Sequence, residues 1–128
     1  MNDADRNYVH AELTREIIGC AYRVFNILGA GFLEKIYENA MVIELRKQGF
    51  QVQQQIPIQV FYEQIKIGDY FADILVDNKV IIELKASTDL VKAHEVQLVN
   101  YLKATGIEVG LLINFGDELQ IKRRVLQK

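Results

Sequence analysis

The chain has 128 residues, half of them hydrophobic and a quarter charged. This excludes a disordered chain and fits one domain, 1–128, that buries a core without metal or disulfide staples. Its single cysteine rules out an internal disulfide, no apolar run is long enough to span a membrane, and the net charge of −2 argues against a protein that coats nucleic acid with its whole surface.

Met1-Asn2-Asp3-Ala4-Asp5-Arg6 lacks the basic-then-apolar order of a signal peptide. With the lone Cys20, this sets the expectation of a reducing, cytoplasmic setting. From Tyr8 to Leu28, the residues Val9, Leu13, Ile17, Ala21, Val24 and Leu28 recur at spacings of three and four, which predicts a helix. Cys20 lies among Ile17, Ile18, Ala21 and Val24 and reads as a small buried apolar residue. Gly29-Ala30-Gly31 breaks the helix. A second runs from about Phe32 to Gln48, with Leu33, Ile36, Tyr37, Ala40, Met41 and Leu45 on its apolar side and Gly49 at its end.

The period then changes to two. Gln51 to Tyr62 alternates through Val52, Gln53, Ile56, Ile58 and Val60, with Pro57 indicating an edge strand or an irregularity. Glu63-Gln64 turns the chain into a strand from Ile65 to Val76, and a third strand spans Val80 to Lys85. A helix from about Leu90 to Ala104 follows, closed by Gly106, then strands from Glu108 to Phe115 and from Glu118 to Val125. The runs Val80-Ile81-Ile82 and Val109-Gly110-Leu111-Leu112-Ile113 are apolar on both faces. The expected fold class is α/β, a mixed central β-sheet flanked by helices in the order ααβββαββ. Lys122-Arg123-Arg124 is the one dense basic cluster; it reads as a solvated end, with phosphate contact as the alternative.

Charges inside apolar strands carry the chemistry. In Val80-Ile81-Ile82-Glu83-Leu84-Lys85, alternation puts Ile81, Glu83 and Lys85 on one face. Buried charges are costly unless paired or metal-bound. A Glu83–Lys85 ion pair is one solution. The preceding strand offers another, because Asp73 is the one acid in Tyr70-Phe71-Ala72-Asp73-Ile74-Leu75-Val76. If Val76 pairs with Val80 across Asp77-Asn78-Lys79, Asp73 falls opposite Glu83, with Cβ atoms about 4.5–5.5 Å apart. Two carboxylates at about 5 Å repel by roughly 3 kcal/mol at an effective dielectric of 20, and a divalent cation between them reverses that sign. A two-residue turn of Asp77-Asn78 would instead put the two acids on opposite faces.

Oxygen donors on a rigid sheet suit Mg²⁺ or Mn²⁺. Zinc fits less well, because His10 and His94 show no paired ligand spacing. Lys85 is placed to orient a water for attack on a phosphodiester. On the third helix His94, Gln97 and Tyr101 share a face, beside the apolar stripe of Val91, Leu98 and Leu102; they are either site residues or ordinary interface residues. On the second helix, Glu34 and Tyr37 are spaced i, i+3, and Glu34 is also a first-turn acid favoured by the helix dipole.

Gly31-Phe32-Leu33-Glu34-Lys35-Ile36-Tyr37 resembles the signature of the GxxExxY protein family, which is assigned to the PD-(D/E)XK nuclease superfamily. The resemblance continues through Gly68 to Val76, Ile82 to Ala86, His94 to Leu102 and Gly110 to Gly116, in order along nearly the whole chain. It departs at Ala30, where family members often carry proline, and at Phe25, where they often carry histidine.

The resemblance implies a restriction-endonuclease-like core. It gives Asp73 and Glu83 the role of metal-binding acids, the Leu84 carbonyl that of a further ligand, and Lys85 that of the catalytic lysine. Glu34 resembles the helical acid that reaches the metal site. Gln97 and Tyr101 resemble the Q-x₃-Y helix motif of RecB-like nucleases, which supports the site and contacts nucleic acid. The leading expectation is therefore a Mg²⁺- or Mn²⁺-dependent nuclease acting on DNA, with no membrane partner and with a homodimer to hold the substrate. A non-catalytic nucleic-acid-binding or regulatory module of the same fold, favoured by the acidic charge, and a phosphohydrolase for small phosphate esters are the competing readings.

Overall fold

A computed structural model describes residues 9–127. The elements are α1 (Ala11–Leu28), α2 (Glu34–Lys47), β1 (Val52–Tyr62), β2 (Ile65–Val76), β3 (Val80–Lys85), α3 (Lys92–Thr105), β4 (Val109–Phe115) and β5 (Leu119–Val125). Their order is the expected ααβββαββ. Tyr8, the predicted start of the first helix, lies outside the described residues, and α1 begins only after His10, whose φ of 53° is left-handed. The other two helices also start later than apolar spacing suggested, because Leu33 and Val91 are extended. Apolar residues just outside a helix can continue its period without joining it.

The strands form one sheet in sequence order, β1-β2-β3-β4-β5. All neighbours are antiparallel except β3 and β4, which run parallel and are joined by α3. A parallel pair needs such a crossover. Two cores result. On one face Ile74, Val76, Val80, Ile82, Leu84, Leu111 and Ile113 pack with Ile17, Cys20 and Val24 of α1 and with Tyr37, Met41 and Leu45 of α2. On the other, Ile58, Leu75, Ile81 and Leu112 pack with Leu98, Tyr101 and Leu102 of α3. Every residue of β4 is buried, as its two-sided apolar sequence predicts. A Cβ at Gly110 would lie 2.6 Å from Leu98 Cδ1, so the bare glycine lets α3 seat closely on β4.

The β1–β2 hairpin departs from simple alternation. Pro57 does lie on an edge strand, as expected. Gln55, however, has a φ of 52°, and the β1–β2 ladder skips the Gln55–Asp73 position. In β2, Ile74 and Val76 belong to the core under α1 and α2, whereas Ala72 belongs to the core under α3. The two strands therefore exchange faces together at Gln55 and Asp73. This carries the outer half of the hairpin across α3 and leaves Asp73 at the point of divergence.

Candidate active site

The turn after β2 decides where Asp73 points. Asp77 and Asn78 both take left-handed φ values, 52° and 56°, and Lys79 N–H donates to the Val76 carbonyl at 2.9 Å. That is the geometry of a two-residue turn. The ladder nevertheless resumes as Val76↔Val80, Leu75↔Ile81 and Ile74↔Ile82, so Lys79 is an extra residue. Continuing this register sets Asp73 opposite Glu83.

At that position side chains replace the ladder. Asp73 N–H donates to Glu83 Oε1 at 3.1 Å, and Leu84 N–H donates to Asp73 Oδ2 at 2.8 Å. Each carboxylate is oriented by the opposite strand's backbone. Glu83 is only 4% exposed. Burial and the Asp73 charge push its carboxyl up to about 9. Without a cation the pair therefore carries a proton on Glu83 at neutral pH.

Lys85 makes no ion pair with Glu83 among the described residues; its ammonium donates to Gln97 Oε1 at 3.4 Å instead. Gln97 Nε2 donates onward to the Tyr101 hydroxyl at 3.1 Å. Burial, then the Glu83 and Asp73 charges, push the Tyr101 phenol up to about 12, so it keeps its proton. The Lys85–Gln97–Tyr101 chain ties this face of α3 to the end of β3. His94 is different. Its Nδ1 accepts from Val91 N–H at 3.3 Å and caps α3. Burial, then the nearby Lys85 charge, lower its pKa.

The first turns of α2 supply a second acidic patch. Glu34, expected as a further metal ligand, stays on the helix surface; among the described residues no three of His, Cys, Asp and Glu gather into a ready metal site. Burial nonetheless raises its pKa against the pull of Lys85, with Asp73 and Glu38 adding to the rise. Glu34 is thus within electrostatic reach of the carboxylates rather than joined to them. Sequence reasoning missed Glu38. It is 4% exposed and accepts from Lys35 Nζ at 2.8 Å, Gln54 Nε2 at 2.7 Å and Gln55 Nε2 at 2.9 Å. Gln55 Nε2 also lies 3.4 Å from Asp73 Oδ1, so the left-handed residue of β1 bridges Glu38 to Asp73. The i, i+4 spacing of Glu34 and Glu38 was the available signal.

Asn114 was missed as well, although it interrupts an apolar strand as Asp73 and Glu83 do. Fully buried beside Lys85, it accepts from Ser87 N–H at 3.0 Å and donates to the Ser87 carbonyl at 2.9 Å. It fixes the chain as it leaves β3. Gly116 permits the same close packing, since a Cβ there would lie 2.5 Å from the Ser87 carbonyl oxygen.

Tyr37, three residues after Glu34, turns inward instead. It is buried in the core, stacked on Phe115 with ring centroids 4.4 Å apart, and cannot touch a substrate. Its hydroxyl donates to the Gly29 carbonyl at 2.6 Å and accepts from Phe32 N–H at 3.2 Å. It supports the loop that launches Glu34. Tyr37→Phe leaves the Gly29 carbonyl without this donor and should lower stability by about 1–3 kcal/mol, read by urea denaturation. The basic cluster also divides. Alternation in β5 puts Arg123 on the opposite face from Lys122 and Arg124. Arg123 binds the Val9 carbonyl and Arg124 pairs with Glu95 at 2.8 Å, so the run does not act as one phosphate-binding surface.

Two adjacent carboxylates fit a small oxygen-loving dication, which binds through one or two acids and completes its shell with water and phosphate. Asp73 and Glu83 supply that donor set, and Lys85 stands beside it without neutralising it. Comparisons with known proteins bear on the family and the fold. The profile of the PD-(D/E)XK nuclease superfamily matches residues 11–125. No curated protein matches the chain by sequence. Among solved structures, the crystal structure of SSO0001 is similar over 97% of this chain and 62% of its own, with a TM-score of 0.60 and 20% identity. An alkaline exonuclease, LHK-Exo from Laribacter hongkongensis, is similar over 73% of this chain and 56% of its own, with a TM-score of 0.53 and 14% identity. The chain thus spans less than two thirds of either structure, and at these identities the likeness shows the fold.

Proposed function

Because this chain belongs to the PD-(D/E)XK nuclease superfamily, we propose that it is a metal-dependent nuclease hydrolysing phosphodiester bonds in DNA. One observation carries the reading. Asp73 and Glu83 are locked together at a break in the β2–β3 ladder, while the Lys85 ammonium is held by Gln97 rather than spent on Glu83. A purely structural arrangement would close Lys85 onto Glu83 and neutralise it as an ion pair instead of with a proton.

In this reading Asp73 and Glu83 would hold Mg²⁺ or Mn²⁺, with the Leu84 carbonyl and Glu34 as further candidates. When bound, the ion supplies Lewis-acid stabilisation of charge on the phosphoryl oxygen. Glu83 gives up its proton to serve as a ligand. Lys85 donates a hydrogen bond to the attacking water and positions it, and Gln97 holds the ammonium in place. Tyr101 stays protonated and donates toward substrate. Within the superfamily, the segment Gly31 to Tyr37 supports a place in the GxxExxY family as part of this proposal. The homodimer expected from the small size belongs to the same reading, and light scattering tests it.

Oligonucleotide digestion with Mn²⁺ tests the function. Wild type should cleave, and Asp73→Asn should lose both cleavage and Mn²⁺ binding by calorimetry. Equal cleavage by the two proteins would sink the assignment.

A further inference from the structure

Beside the carboxylates, the outer hairpin and α3 enclose a groove of about 720 Å³. Phe61 and Tyr70 line it from the hairpin, and Gln97, Asn100, Tyr101 and Lys103 line it from the helix. Gln97 and Tyr101 are the residues already linked to Lys85, so the groove borders the site. Its volume lies within the roughly 300–1,000 Å³ range of small-ligand sites. Bases stacked inside a continuous duplex cannot reach its rings without being unstacked.

The lining has a specific chemistry. Phe61 and Tyr70 are 54% and 51% exposed, unusual for rings that a core could have covered. Tyr70 lies against Tyr101 with ring centroids 5.8 Å apart and planes tilted by 47°. Flat rings faced by the amides of Gln97 and Asn100 suit nucleobases, which present π-faces and hydrogen-bonding edges together. Phosphate attraction contributes little here. Lys103 is the one cation among the described lining residues, and the neighbouring site is acidic. Whatever occupies the groove must be held mainly by stacking.

Resting on the nuclease reading, we propose that the groove seats unpaired bases of the DNA strand whose phosphodiester lies at Asp73 and Glu83. The protein then prefers single-stranded ends or flaps to continuous duplex. The face exchange at Gln55 and Asp73 builds the groove, because it swings the hairpin over α3 at the residue that anchors the site.

The test is fluorescence anisotropy of labelled oligo-dT and of a duplex of equal length in EDTA, followed by cleavage of both with Mn²⁺. The full chain is compared with Phe61→Ala, Tyr70→Ala and Phe61→Tyr. The wild type should favour oligo-dT. Each alanine change should weaken it by about 5–150-fold, the equivalent of one lost base–aromatic stack, and leave duplex unaffected. Phe61→Tyr should bind as wild type does. With one groove cation, log affinity for oligo-dT should fall with log salt at a slope of only about −0.7.

No binding of oligo-dT by wild type, or alanine variants that bind it unchanged, would overturn the groove. So would light scattering that shows a dimer falling to monomer on Phe61→Ala, since a second copy would then cover these rings. Cleavage without any Phe61 or Tyr70 effect leaves the nuclease reading standing and removes this one. Oligo-dT binding through Phe61 without cleavage of any substrate does the reverse.

Discussion

Lys85→Ala is expected to lower Mn²⁺-dependent cleavage by about 10²–10³-fold, the range that loss of one preorganised hydrogen-bond donor costs. The fold and the metal affinity should survive. Lys85 ends β3, is partly buried rather than sealed in the core, and closes no ion pair within the described residues. Its one hydrogen bond among the described residues is the 3.4 Å bond to Gln97, so its removal leaves no buried carboxylate newly unpaired. Calorimetry should find Mn²⁺ binding to Lys85→Ala close to wild type, while single-turnover cleavage collapses. Lys85→Arg should not rescue it, because a planar guanidinium neither fits the point-charge position nor shares the lysine's proton affinity. Gln97→Ala should act in the same direction but more weakly, since it only frees the ammonium. Cleavage by Lys85→Ala at the wild-type rate would remove Lys85 from the chemistry.

Glu83→Gln should do something less common: abolish metal binding and cleavage, yet make the metal-free protein more stable at alkaline pH. Burial and the Asp73 charge raise the Glu83 pKa to about 9 in the fold, from an ordinary value of 4.5. Between those values the native protein holds a proton that the unfolded chain has released. The stability tied to that proton is fully present below the unfolded pKa and is lost as pH rises toward the folded one. The slope is at most about 1.4 kcal/mol per pH unit. Thermal denaturation of wild type in EDTA should therefore weaken from about pH 5 to pH 9. Glutamine, permanently neutral, should flatten this component. Mn²⁺ reverses the trend in wild type, because it binds the carboxylate form and must release the proton. Its affinity should climb across the same window, with proton uptake by the buffer measurable in calorimetry. An identical pH dependence for wild type and Glu83→Gln in EDTA would show that Glu83 is not the group responsible.

The sequence by itself determined the element types, their order and the identity of the charges that interrupt apolar strands. Period and glycine placement are local signals, and β2 and β3 begin and end where alternation and turn residues put them. Asp73, Glu83 and Lys85 were visible because a charge in a two-sided apolar strand has no inexpensive structural excuse. Asn114 left the same kind of trace in β4, unread, and Glu38 left only its i, i+4 spacing from Glu34.

Only the tertiary structure decided which of these residues meet. The register of β2 on β3 was not legible, because both strands are apolar on both faces and a one-residue slip exposes no obvious error. Asp77-Asn78 suits a two-residue turn and adopts one, yet packing inserts Lys79 and pairs Val76 with Val80. That extra residue puts Asp73 opposite Glu83 in the structure. The face exchange was still less visible. A left-handed Gln55 has no sequence signature, since glutamine gains nothing local from that conformation. It persists because Gln55 joins Glu38 to Asp73 and because Ile58 and Ala72 find their core under α3. Local preference wrote the residues of the site; long-range packing on two faces of one sheet brought them together.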